Sequence, residues 1–258
     1  MPELPEAETI VRTLRPFLEG RAITVAEFLS KRVSIDVAET LAGERIIAVK
    51  RHGKQILFEF ESGLMAVVKL GMTGALLVNA EPGKHTRAVF TLEGSGNLLF
   101  DDIRQFGSIK ILNAAPANLG PDPLEVSADE FAQRLRSRNT QVKRALLDQT
   151  FVRGIGNIYA DEALFRAGID PRARTRRLKP ERARALHAAV VDVLTDAIAH
   201  RGSSVSDYVD ATGTQGEFQA RHRVYRKTGQ PCVQCGTPIR RTVLAQRGTH
   251  YCPRCQHR

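Results

Sequence analysis

A chain of 258 residues with 42% hydrophobic content suits a soluble globular protein of one large domain or two modest ones. No apolar run approaches the roughly 18–20 residues of a membrane span. The opening Met1-Pro2-Glu3-Leu4-Pro5-Glu6 is acidic where a secretory signal is basic and then apolar, so the reading is a cytoplasmic protein without a membrane partner. A formal net charge of +10 fits a polyanionic partner or a merely basic surface, and the crowding of Lys and Arg into the second half favours a binding face.

In chain order, the spacing of Ala7, Ile10, Val11, Leu14, Phe17 and Leu18 predicts an amphipathic helix stopped at Gly20, with Glu3, Glu6 and Glu8 at its positive end. From Ile23 to about Leu112 the texture is short β-like runs between glycine turns: 45–50, 56–60, 65–70, 75–79, 88–92 and 98–101. Such near-regular spacing predicts a β-sandwich or barrel rather than alternating strands and helices.

Gly120-Pro121-Asp122-Pro123 reads as a linker into helical sequence. Ser127-Ala128-Asp129-Glu130 is a capping box ahead of Phe131 and Leu135, and further helices are predicted over 141–149, 158–167 and 181–200. The last of these buries Leu186, Ala189, Val190, Val193, Leu194, Ala197 and Ile198. Gly154-Ile155-Gly156-Asn157 opens one of these helices, and exposed N–H groups there could hold a phosphate or simply make a turn.

All four cysteines fall in Cys232-Val-Gln-Cys235 and Cys252-Pro-Arg-Cys255, sixteen residues apart. Two facing Cys-x2-Cys knuckles close a tetrahedron around one Zn2+ and leave no open position, so the expected site is structural. A segment of that size needs the metal to fold.

Taken together, the motifs resemble the formamidopyrimidine-DNA glycosylases over the whole chain. The resemblance rests on Met1–Glu6, Lys69-Leu-Gly-Met-Thr-Gly74, Leu119-Gly-Pro-Asp-Pro-Leu124, Gly154-Ile-Gly-Asn-Ile-Tyr-Ala-Asp-Glu-Ala163, Asp207-Tyr-Val-Asp-Ala211, Cys232–Ile239 and Ala245–Cys252. It implies an α+β multidomain fold: an N-terminal helix plus β-sandwich (1–122), a helical domain with a helix–two-turn–helix motif (123–228) and a C-terminal β-hairpin zinc finger (229–258). The implied partner is damaged double-stranded DNA, met by a monomer.

The implied activity is a combined glycosylase and abasic-site lyase for oxidised purines. Pro2 is an amide and no nucleophile until Met1 is removed; it then becomes a secondary amine that can form an iminium at a sugar C1′. With an α-amino pKa of roughly 8, about a tenth is unprotonated at neutral pH, and the helix dipole increases that share. Without the resemblance, the favoured reading is that Pro2 and Pro5 merely shape a helix start, and the resemblance reverses this.

The resemblance makes Glu3 the general acid/base and gives Glu6 a positioning role. Lys54, in the turn Arg51-His-Gly-Lys54, matches a lysine that holds the phosphate beside the lesion, and Arg247 matches an arginine that clamps the flipped nucleotide's phosphate. Lys143, Asn157, Tyr225 and His85 match further DNA contacts. Met72, Arg104 and Phe106 match residues that fill the void left by the extruded base.

That triad, with Leu4, implies the purine branch; excision of oxidised pyrimidines as by endonuclease VIII-type enzymes, or non-catalytic lesion binding, are the alternatives. The chain departs from the pattern at Lys69, Thr86-Arg87 and Gln105, where the family commonly has His, Asp-His and Arg. Glycines and polar residues over 209–218 suggest a mobile lesion-recognition loop.

Overall fold

The computed structural model describes residues 2–30, 32 and 41–258. Met1, whose removal the proline chemistry requires, lies outside them. The chain divides into two compact units, residues 1–117 with 200–219, and residues 118–199 with 220–258. The architecture is the expected α+β one.

In the first unit, α1 (Leu4–Leu18) carries Pro5 in its first turn, where a missing N–H costs nothing. Leu4, Ala7, Ile10, Val11, Leu14 and Leu18 form its buried stripe, and Gly20, at φ +84°, turns the chain away. The stripe lies on β2 (Ile46–His52) and β3 (Gln55–Phe60).

Two four-stranded antiparallel sheets follow. One has the order β1 (Ile23–Phe28), β6 (Thr86–Leu92), β7 (Asn97–Asp102), β5 (Gly74–Val78). The other runs β2, β3, β4 (Met65–Lys69), β8 (Ser108–Leu112). Phe90, Leu98 and Phe100 from the first sheet and Phe58, Phe60 and Val68 from the second share one apolar core with α1, which makes the sandwich.

Neither β1 nor β8 was among the separate runs read from the sequence. Both are edge strands in which only Ile23 and Ile109 are buried.

The second unit holds α2 (Ala128–Ser137), α3 (Val142–Leu147), α4 (Asn157–Arg166), α5 (Pro180–Ala199) and the hairpin of β9 (Arg240–Leu244) and β10 (Arg247–Tyr251). Ser127 caps α2 by accepting from the Glu130 N–H at 3.1 Å. Helix α3 stops two residues earlier than predicted. The Asp148 carboxylate accepts from the backbone and hydroxyl of Thr150, bending the chain, while Gln149 bonds the Ile155 carbonyl and the Gly154 N–H. Along α5 the predicted buried face holds except at Ile198, which is half-buried.

Leu14 is wholly buried between helix and sandwich. Leu14→Ala is expected to destabilise the first unit by about 3 kcal/mol, read as a lowered urea midpoint at unchanged slope.

Candidate functional site

At the start of α1 the backbone organises two carboxylates. Glu3 is the N-cap and Glu6 the third helical residue, and together they make a capping box. Glu6 Oε2 accepts from the Glu3 N–H at 2.8 Å, and its Oε1 accepts from the Ser203 N–H at 2.7 Å. Gly202, at φ +76°, lies so close that a Cβ there would sit 2.8 Å from Glu6 Oε1. Glu6 therefore joins the first helical turn to the 200–219 segment of the same unit. Pro2 and Glu3 are buried beside it.

Tyr208 donates to the Arg201 carbonyl at 3.0 Å, and burial together with the Glu6 charge pushes its phenol well above the ordinary range. In the loop over 209–218, which composition suggests is mobile, Thr212, Thr214, Gln215 and Glu217 are exposed, while the buried Asp210 collects hydrogen bonds from its backbone. Asp210 Oδ1 accepts from Thr212 and Thr214 backbone N–H groups, its other oxygen meets Arg201, and Gly216 donates to Ser204 Oγ. Burial alone would raise the Asp210 pKa; these donors and Arg201 outweigh it and hold the carboxyl low.

Lys54 occupies the second position of the two-residue β2–β3 turn, after Gly53 at φ +66°. His85 is half-buried just before β6.

Met72, Arg104 and Phe106 come together from two loops. Arg104 donates to the Met72 sulfur at 3.3 Å, and its guanidinium lies 4.6 Å from the Phe106 ring centre. Met72 and Phe106 are 46% and 60% exposed and are joined through the Arg104 guanidinium into one surface cluster. Beneath them sits Asp102, fully buried, which accepts from Thr73 Oγ1 at 2.5 Å, the Arg104 N–H at 3.2 Å and the Gly107 N–H at 2.8 Å. Gly71, at φ +63°, presses on the Phe106 backbone, where a Cβ would come within 2.7 Å.

The sequence reading missed Asp102, although a second aspartate at a strand end two residues before a surface arginine was a visible signal. The departures serve this framework. Gln105 accepts from Ser30 Oγ at 2.7 Å, Thr86 Oγ1 accepts from the Gly83 N–H, and Arg87 donates to the Asp102 carbonyl. Lys69 is exposed at the end of β4.

In the second unit, Lys143 is fully buried and not at the surface where a phosphate contact was expected. Its ammonium pairs with Asp161 Oδ1 at 2.7 Å and donates to Thr249 Oγ1 at 2.8 Å and the Gly248 carbonyl at 3.3 Å. Asn157, the first residue of α4, donates to the same Gly248 carbonyl at 3.0 Å. The other Asp161 oxygen accepts from the His250 N–H at 2.9 Å. Three helix-borne side chains thus grip the strand that begins at Arg247, which is itself exposed.

Tyr225 is half-buried with its ring edge-on to His222 and His250. Its backbone N–H, with those of Arg223 and Val224, is accepted by Glu162. Burial raises the Glu162 pKa in spite of these donors. Asp161 and Glu162, adjacent acids inside a mostly apolar helix, were likewise passed over in the sequence reading.

The four cysteine sulfurs lie within 4.8 Å of one another, with Cys232–Cys255 at 3.8 Å and Cys235–Cys252 at 3.5 Å. Zn–S bonds of about 2.3 Å imply edges of about 3.8 Å in a tetrahedron, so the donor set fits one structural Zn2+. Packing against Phe165, Val224 and Ile239 shields the sulfurs.

Three family models divide the chain between them: the formamidopyrimidine-DNA glycosylase N-terminal domain (residues 1–109), the helix–two-turn–helix domain of the same enzymes (119–209) and the zinc finger found in these enzymes and in isoleucyl-tRNA synthetases (229–258). The formamidopyrimidine-DNA glycosylase of Solibacter usitatus is 53% identical over the full length of both chains. The crystal structure of the MutM (Fpg) protein of Thermus thermophilus matches at 41% identity and a TM-score of 0.90, covering 99% of this chain and 98% of that one. The Lactococcus lactis Fpg in complex with DNA containing an abasic site matches at 33% identity and 0.91, covering 99% and 100%. The chain belongs to the formamidopyrimidine-DNA glycosylase family of DNA-repair enzymes.

Chelating the zinc is expected to unfold the hairpin, seen as fast amide exchange in β9 and β10, while the sandwich keeps its melting behaviour. Burial, followed by repulsion from Lys227 and Arg226, lowers the His222 pKa to about 4. A folded pKa below the unfolded value means the unfolded chain binds the extra proton first. The neutral ring's contribution is complete above about pH 6.5 and is lost as pH falls towards 4, up to about 3 kcal/mol. Unfolding midpoints measured across that window should fall in the wild type and fall less in His222→Gln.

Proposed function

We propose that this enzyme excises oxidised purines, 8-oxoguanine and formamidopyrimidines, from duplex DNA and then cleaves the abasic strand. The nucleophile is the Pro2 amine, freed by removal of Met1. It attacks the sugar C1′ while the base leaves with its bonding electrons and takes up a proton. The amine gives up its proton, C1′–O4′ breaks with O4′ taking up a proton, and the iminium so formed draws electrons from the C2′–H bond, so β-elimination expels the 3′ phosphate and δ-elimination the 5′ phosphate.

The observation that carries this reading is the double anchoring of Glu6, to the Glu3 N–H and to the Ser203 N–H. It fixes the first turn of α1 and leaves Glu3, one residue from the nucleophile, to move protons during ring opening and elimination. Lys54 and Arg247 take phosphates in this scheme, with His85 and Tyr225 as further DNA contacts. Lys143, fully buried, acts through the hairpin rather than on phosphate, while Asn157 donates to the same Gly248 carbonyl next to Arg247 and keeps its reading as a phosphate contact.

The choice of purines rests on the wedge. Extruding a nucleotide costs a few kcal/mol of stacking, and the exposed, mutually packed Met72, Arg104 and Phe106 suit filling the gap, with the guanidinium facing an orphaned cytosine. We read the parts as a catalytic domain over 1–122, a helical domain over 123–228 and the finger over 229–258.

Borohydride should trap a covalent adduct between wild-type protein and DNA bearing 8-oxoguanine opposite cytosine. Pro2→Gly is expected to abolish the adduct while zinc content and DNA binding persist. Glu3→Gln should slow excision by roughly 10²–10⁴-fold. Preferential excision of thymine glycol would instead assign the pyrimidine specificity. A wild type that binds lesion DNA yet forms no adduct would mean a non-catalytic binder.

A further inference from the structure

A concavity of the second unit is lined by residues that take no part in the site described above. It has a volume of about 630 Å3, and Arg172, Arg174, Arg177, Lys179, Arg182 and Arg258 line it. Cavities of this size hold small ligands, but such ligand sites are predominantly apolar. Here the apolar lining is reduced to Ala173 and Leu178, and no aromatic side chain takes part.

The charge balance within the cavity is one-sided. Asp170 pairs with Arg172 at 2.6 Å and approaches Arg258 at 3.9 Å. Arg182 is oriented by the Gly168 carbonyl at 3.0 Å, which leaves its charge uncompensated. Among the described residues, Arg174, Arg177 and Lys179 form no ion pair, and all three are exposed. Six cations face one carboxylate, so like charges repel across the cavity until an anion enters.

We propose that this cavity is a binding site for an oligophosphate, meaning consecutive phosphates either free or within a nucleic-acid strand. Guanidinium groups present N–H forks that match phosphate oxygens two at a time, and arginines supply five of the six cations. A single carboxylate or phosphate would neutralise too little of the charge. With no aromatic surface for a base to stack on, recognition rests on the phosphates and is indifferent to sequence. The site is independent of the Pro2 chemistry and would persist if that reading failed.

The test is calorimetric titration of the full-length protein with sodium tripolyphosphate. The comparison is between wild type, the cavity variant Arg174→Ala/Arg177→Ala/Lys179→Ala, and a charge-matched control, Lys50→Ala/Lys110→Ala/Arg136→Ala, whose positions lie on exposed faces elsewhere. We expect the cavity variant to bind at least about tenfold more weakly, with the control like wild type. Equal affinity of wild type and cavity variant, or equal weakening in the control, overturns the proposal. So does a tetraglutamate peptide that binds the wild type as well as tripolyphosphate does, since the site would then select acidic peptide.

A short oligothymidylate supplies the source arm. Displacement of tripolyphosphate from wild type identifies a strand as the natural ligand, retention identifies a free oligophosphate, and either supports the site. Because every mutated side chain is at the surface, melting temperatures of the three proteins should agree, which separates lost binding from lost fold.

Discussion

The second unit is held in register by one buried carboxylate. Asp161 gives one oxygen to the Lys143 ammonium and the other to the His250 backbone, so α3, α4 and β10 meet at a single side chain. Taking both charges out of water costs several kcal/mol each, and only close contact with full hydrogen bonding offsets that. Lys143 satisfies this condition by directing its donors to Asp161, Thr249 and Gly248. Removing either partner would strand the other charge in a space without water. The pair therefore specifies where the hairpin sits more than it stabilises it, and Arg247 inherits that placement.

The same device recurs in the first unit with backbone donors in place of an ammonium. Asp102 holds the loops that carry Met72 and Phe106, and Glu6 holds the helix start and the 203 segment. A buried carboxylate accepting several N–H bonds is rigid because each lost bond leaves a desolvated charge. Met72, Arg104, Phe106 and Arg247, proposed above to contact DNA, can then remain exposed without being loose. The stiffness lies one layer beneath them.

This layering explains what could be read from the chain itself. Helix α1, the central strands and the zinc finger announce themselves through spacing, because period and ligand geometry are properties of local sequence. The edge strands β1 and β8 and the early end of α3 did not, since each depends on partners far along the chain or on one side-chain bond such as Asp148 to Thr150. Lys143 shows the sharper limit. The resemblance offers it as a phosphate contact, and nothing local reveals that Asp161, eighteen residues on, neutralises it. Likewise nothing local in the 209–218 loop reveals that the buried Asp210 collects hydrogen bonds from the Thr212 and Thr214 backbone.

The hairpin turn before Arg247 shows how far the scaffold overrides local preference. Ala245 and Gln246 both adopt positive φ, 47° and 58°, as a two-residue turn of this kind requires, yet neither is glycine. Each costs roughly 1–2 kcal/mol relative to a right-handed conformation. An isolated hairpin would relieve this by shifting register or opening. Here β9 and β10 are bounded by zinc-ligand knuckles, and Gly248, one residue past Arg247, is gripped by Lys143 and Asn157. With both sides fixed the turn has no cheaper shape, and the absence of glycine removes the flexibility that would blur the position of the arginine. The strain is the counterpart of a strand start at Arg247 held at a defined point.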